Sequence, residues 1–188
     1  MVGVMQRVML VATQGFRGVL VAAALVLAGC SGTPHGGEAV SPFDLERYLG
    51  TWHELARLPN RFETDLVNVT AQYSMRDDGG VKVINRGFNT RTRDWEEAEG
   101  KAYRLDPDAA KLKVSFFGPF YGAYNVLWLS DDYDLALVAG DDHQYLWLLA
   151  REPSLPQARL EAPLAVAEQL GFAMDQLEWL MPPLTARE

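Results

Sequence analysis

Between Trp52 and Arg151 the chain is divided into eight short stretches, each bounded by Gly, Pro, Asp or Asn. No other feature restricts the fold as tightly. The stretches are expected as strands at 52–59, 66–75, 81–88, 95–105, 111–117, 122–130, 134–140 and 144–151. Their separators are Asp77-Asp78-Gly79-Gly80, residues 89–94, Asp106-Pro107-Asp108, Gly118-Pro119, Ser130-Asp131-Asp132 and Asp141-Asp142. These residue types supply unusual dihedrals or close turns with their own side chains. Eight strands at near-even spacing indicate an all-β sandwich or an up-and-down barrel. Connections this short make sequence neighbours spatial neighbours, which favours the eight-stranded antiparallel meander barrel.

The alternation within strands says which faces are covered. Leu112, Val114 and Phe116 share one face, and Lys111, Lys113 and Ser115 the other. Ala98, Gly100 and Ala102 form a row of small residues that leaves room inside a barrel or permits a bend. Residues 124–129 and 145–150 are apolar nearly throughout, so both of their faces are expected to be covered. The expected cover is a C-terminal helix packed outside the barrel. Leu160, Leu164, Ala167 and Leu170 recur at helical spacing, and Gly171 can end the helix. Pro163 either starts that helix or kinks it. A last short strand is expected near 177–181.

The N-terminus reads as an address. Residues 1–29 carry Arg7 and Arg17, no acidic residue, and an apolar run over 19–28. That run is too short to cross a bilayer, which takes roughly 20 residues, and it suits a signal peptide. It ends in Leu27-Ala28-Gly29-Cys30, which resembles the bacterial lipobox. The resemblance implies cleavage before Cys30 and a diacylglycerol on its thiol. Serine rather than aspartate at 31 implies the outer membrane, with the protein lipid-anchored and facing the periplasm. Taking 29 residues, two of them arginine, from 188 leaves 159 and moves the net charge from −8 to −10. Residues 30–42, rich in Gly and Pro, are expected as a lipidated flexible tether. A domain over 43–182 and a tail over 183–188 follow.

The acidic balance argues against a nucleic-acid partner. One cysteine allows no internal disulfide, and three scattered histidines make no metal cluster. No cofactor is expected. Nucleophile-elbow, P-loop and zinc-helix motifs are absent. Glu54, two residues beyond Trp52 and so on the same face, is the one carboxylate placed to work inside the barrel, as a general acid or as a hydrogen-bonded part of its floor.

Five stretches together resemble the lipocalins, and within them the bacterial outer-membrane lipoproteins of the apolipoprotein D-like branch. They are Gly50-Thr51-Trp52-His53-Glu54-Leu55-Ala56-Arg57, residues 79–85, Glu99-Gly100-Lys101-Ala102, residues 114–122, and Tyr145-Leu146-Trp147-Leu148-Leu149-Ala150-Arg151. The similarity spans residues 43–182, and Pro163 is the clearest departure. The turn Asp131-Asp132-Tyr133-Asp134 resembles a second family signature without its usual order.

A meander returns to the same end at every second connection. Trp52, the Tyr133–Asp134 turn and Arg151 therefore meet at one end. The resemblance implies a structural floor made by Gly50, Trp52, Tyr133 and Arg151. The other end is then a mouth that collects Phe62, residues 89–94 and the aromatic run 116–121. Candidate ligand contacts are Ala56, Phe62, Asn85, Phe116, Phe117, Phe120, Tyr121, Tyr124, Asn125 and Trp147. The ligand expected is a fatty acid, lysophospholipid or similar amphiphile, held for storage or transport. The alternatives are a lipocalin-like enzyme working through Glu54 and a structural envelope lipoprotein with a filled barrel. A homodimer is a further arrangement this reading allows.

Overall fold

The computed structural model describes residues 32–180. The signal peptide, Cys30 and the tail over 183–188 lie outside the described residues. A short helix α1 (Leu45–Tyr48) precedes eight antiparallel strands: β1 (Gly50–Arg57), β2 (Leu66–Met75), β3 (Val81–Asn89), β4 (Asp94–Arg104), β5 (Lys111–Ser115), β6 (Gly122–Leu129), β7 (Leu135–Ala139) and β8 (Leu146–Ala150). Each strand pairs with the next, and β1 pairs with both β2 and β8, so the sheet closes on itself. This is the expected up-and-down barrel, in which closure leaves no long edge in water.

Several strands are shorter than expected, for local reasons. β5 stops at Ser115 because Gly118-Pro119 turns the chain and proline has no N–H for the ladder. The β7–β8 connection takes residues from both strands: Asp142 Oδ1 accepts from the Gln144 amide and forms a local turn. The sequence reading did not include α1. Asp44 caps it, with Oδ1 accepting from the amides of Glu46 and Arg47.

Two apolar layers hold the fold. The inner one fills the barrel and includes Trp52, Tyr48, Tyr73, Val83, Leu112 and Val126. The outer one lies between the sheet and helix α2 (Gln157–Gln169) and includes Leu55, Leu127, Leu137, Leu148, Leu160 and Ala167. This accounts for the continuous apolar character of β6 and β8, which are covered on both faces. Pro163 neither starts nor ends α2. It lies inside the helix, and Leu160, Pro163 and Ala167 are its buried stripe. The lost N–H there is offset by apolar burial. After α2 the chain forms β9 (Glu178–Trp179), which pairs with Ala56 and Arg57 of β1 where β2 has diverged.

Residues 32–42, expected from composition as a free tether, are docked on the barrel wall. Val40 donates to the Val126 carbonyl and accepts from the Ala110 amide. Pro34 is fully buried, and Gly37 lies against Leu127 and Leu170. A Cβ at 37 would sit 3.2 Å from the Pro34 carbonyl, so a larger residue would push the segment outward by a few tenths of an ångström.

Candidate functional site

The floor is built around Arg151. Its guanidinium lies 4.0 Å over the Trp52 ring, a cation–π contact. It donates to five backbone carbonyls: Nε to Tyr133, Nη1 to Thr51, and Nη2 to Arg47, Tyr48 and Leu49. A planar fork can bind several carbonyls at once, which an ammonium cannot. Gly50 has φ +96°, and a Cβ there would come 3.2 Å from Arg151 Nη1. Both its conformation and the close approach call for glycine. Tyr133 stacks on Phe43 and under Arg47, and its hydroxyl accepts from the Asp44 amide. The structure thus brings Gly50, Trp52, Tyr133 and Arg151 together at one end.

Above them is a chain of three hydroxyls. Tyr124 Oη lies 2.8 Å from Tyr48 Oη and 3.0 Å from Tyr73 Oη. Burial pushes all three phenols to higher pKa, so they stay protonated. Tyr124→Phe leaves two buried hydroxyls short of a partner. Stability is expected to fall by about 1–3 kcal/mol, measured by urea unfolding; an unchanged midpoint would mean the phenols re-pair without it.

The space above is an apolar cavity that opens at the mouth. Its wall is mainly Val69, Ala71, Val81, Val83, Ala102, Leu112, Val114, Phe116 and Leu149. Gly100 makes room for Phe116, whose ring would lie 2.8 Å from a Cβ at 100. Among the described residues the charged lining groups are Glu54 and Glu63, with no basic residue beside them in the lining. Glu54 Oε1 accepts from Arg57 Nη1 at 3.0 Å. Arg57 also donates to the carbonyls of Glu63 and Leu66, which occupies its outer edge. Glu63 Oε2 accepts from the Trp147 indole and the Asn60 amide. Burial first, then the neighbouring Glu63, raise the Glu54 pKa well above the usual carboxylate range against the pull of Arg57. Asn85 Oδ1 is buried in the lining with no partner among the described residues.

Of the candidate ligand contacts, Asn85, Phe116, Tyr124 and Trp147 line the cavity. Ala56 does not. The β1–β8 register shifts between Glu54 and Ala56, so Ala56 joins the outer layer and Arg57 takes the inner position. A bulge adds one residue and reverses the alternation beyond it. Asn125 also points outward, and its Nδ2 donates to the carbonyls of Gly32 and Gly140. Tyr121 packs outside on Tyr103 and Lys113. Phe62 lies on the rim against Tyr145, while Phe117 and Phe120 are 73% and 78% exposed. The arginines near the mouth are used locally: Arg86 stacks on Trp95 and Arg91 pairs with Asp65. Glu54 lies in the upper wall rather than in the floor. Tyr48, Tyr73 and Glu63 were not candidates. Asp44 was the available signal for Tyr48, because it caps the helix that carries that residue in; nothing local marked Glu63.

Comparisons with known proteins agree with this architecture. The Lipocalin-like domain family matches residues 43–182. The chain is 51% identical to outer membrane lipoprotein Blc of Escherichia coli K12 over 86% of this chain and 93% of that one. It is 44% identical to outer membrane lipoprotein Blc of Vibrio cholerae, over 84% and 94%. Apolipoprotein D of Rattus norvegicus is 32% identical over 65% of this chain and 70% of its own length. Among solved structures, insecticyanin from Manduca sexta superposes with a TM-score of 0.64, covering 82% of this chain and 92% of that one at 20% identity, a likeness of fold. The closed meander, the arginine-tied floor and the family match establish that the chain belongs to the lipocalin-like family, among its bacterial outer-membrane lipoproteins.

Proposed function

We propose that this protein binds one single-chain amphiphile, acyl tail down the barrel and headgroup at the mouth, for storage or transport at the outer membrane. A lipid on Cys30 holds it there, facing the periplasm. The protein acts by binding, not catalysis. One observation carries the choice of ligand: the cavity wall is mainly apolar, and among the described residues its charged lining groups are the carboxylates Glu54 and Glu63. A tail gains about 0.8 kcal/mol for each methylene it buries there. A free fatty-acid carboxylate would meet like charge, and Nη1 and Nη2 of Arg57 are already bonded to Glu54 and to the carbonyls of Glu63 and Leu66. An ethanolamine or choline headgroup balances its phosphate with an ammonium that can face the carboxylates, and a glycerol hydroxyl can donate to Asn85 Oδ1. A lysophospholipid therefore fits better than a fatty acid.

The test is a titration with palmitate and with a palmitoyl lysophospholipid at two pH values. The lysophospholipid is expected to bind about tenfold more tightly near pH 8. The gap narrows as the pH falls, since palmitate and Glu54 both gain protons, Glu54 at a higher pH than an ordinary carboxylate because burial raises its pKa. Palmitate binding more tightly at the higher pH would refute the headgroup assignment. A mature protein that takes up neither ligand would refute the function.

A further inference from the structure

Three phenols from three different elements meet at the bottom of the cavity. Tyr48 ends α1, Tyr73 lies on β2 opposite Gly50, and Tyr124 lies on β6. In the closed sheet β2 and β6 are equally far apart in either direction, so they face each other across the barrel. Their hydroxyls and that of Tyr48 therefore meet near its axis, with Tyr124 Oη 2.8 Å from Tyr48 Oη and 3.0 Å from Tyr73 Oη. Directly below is the floor: the Tyr48 and Trp52 rings are 4.7 Å apart, and the Tyr48 carbonyl accepts from the Trp52 indole. All three tyrosines line the cavity.

The proton count leaves one donor over. Burial keeps each phenol neutral, so the three hydroxyls carry three protons. Two hydrogen bonds use two of them, whichever way the chain runs, and these hydroxyls make no other bond among the described residues. The remaining O–H lies among hydrocarbon: in the adjoining strands Val83 is paired with Tyr73, and Leu112 with Tyr124. A buried donor without an acceptor is costly. A tail of methylenes and a methyl cannot accept from it. A carboxylate could, but its charge would be buried with no cation in the described lining. A hydroxyl accepts the proton but brings another of its own. A ketone oxygen accepts it and brings none.

From this meeting of three phenols with one proton in surplus, we infer that the cavity bottom is a subsite for a hydrogen-bond acceptor, and that the amphiphile bound there carries a carbonyl oxygen in the half of its tail remote from the headgroup. This rests on the tail-down reading of the cavity. The two ends of the cavity then select different parts of one ligand. Glu54, Glu63 and Asn85 offer acceptors to the headgroup, and the phenols offer a donor to the tail.

The experiment titrates the mature protein with palmitoyl lysophosphatidylethanolamine and with analogues holding a single ketone near, midway along or far from the headgroup. The same series is run on Tyr48→Phe/Tyr73→Phe/Tyr124→Phe, which removes the surplus proton together with both hydrogen bonds and so strands no hydroxyl. Relative to the plain tail, the distal ketone is expected to lose about tenfold more affinity for the triple variant than for the parent, and the ketone beside the headgroup to lose no more. The same relative affinity in both proteins, or a loss that is largest beside the headgroup, overturns the proposal. Infrared spectroscopy of the parent protein with an isotope-labelled distal ketone gives a second reading that needs no variant. The carbonyl stretch is expected below its frequency in hydrocarbon solvent, and a stretch at the hydrocarbon frequency overturns the proposal. Failure of the plain lysophospholipid to bind the parent defeats the binding function and this subsite with it, whereas plain-tail binding with no difference between the two proteins defeats the subsite alone.

Discussion

Ala102→Trp is expected to weaken binding of a palmitoyl lysophospholipid by roughly two hundredfold. Ala102 is buried on β4 and forms part of the cavity wall. An indole there occupies the volume of about four methylenes of tail. At about 0.8 kcal/mol each, that is about 3 kcal/mol of lost binding. A short-tailed analogue that leaves this volume empty should lose little. The added ring enters free space, so thermal stability should change far less than affinity. Isothermal titration with tails of increasing length checks the claim. If Ala102→Trp binds the long tail as well as the parent does, the tail lies elsewhere.

Arg151→Leu is expected to reduce folding stability by roughly 3–5 kcal/mol. Five carbonyls lose a charged donor, and Trp52 loses the cation over its face. For a domain of this size the melting temperature should fall by about 10 °C. Arg151→Lys should recover little, because one ammonium cannot span the Arg47–Leu49 carbonyls and reach Thr51 and Tyr133 as well. Ligand affinity measured below the new melting temperature separates two roles. Unchanged affinity fits a purely structural floor, and a large loss of affinity would make Arg151 a ligand contact. A variant as stable as the parent would contradict both the contact count and the floor reading.

The strand succession, the closure, the covering helix and the floor trio were legible before any coordinates. Each depends on short-range signals: turn residues between strands, alternation within them, and the parity of a meander, which sends every second connection to the same end. Trp52 and Arg151 are about a hundred residues apart, yet parity alone pairs them.

The candidate lining was read less well, and the misses share a cause. Ala56 followed from strict alternation starting at Trp52, and one extra residue in β1 reversed it. Asn125 alternates with Tyr124 onto the outer face, where the docked segment covers it. The run 116–121 splits three ways, with Phe116 inside, Phe117 and Phe120 in the open, and Tyr121 folded back on Tyr103. Composition cannot distinguish these fates, because all four rings have similar hydrophobicity.

The chain's local pattern determined eight antiparallel strands in meander order and favoured their closure with Trp52 and Arg151 at one end, since period-two alternation and turn chemistry act over a few residues. Only the tertiary structure decided that Glu63 joins Glu54 in the upper wall, that Gly32 is held at the mouth, and that the interior stays open. Those outcomes depend on how bulges, loops and the returning N-terminal segment fill three-dimensional space, where groups far apart in sequence compete for the same volume and the same hydrogen bonds.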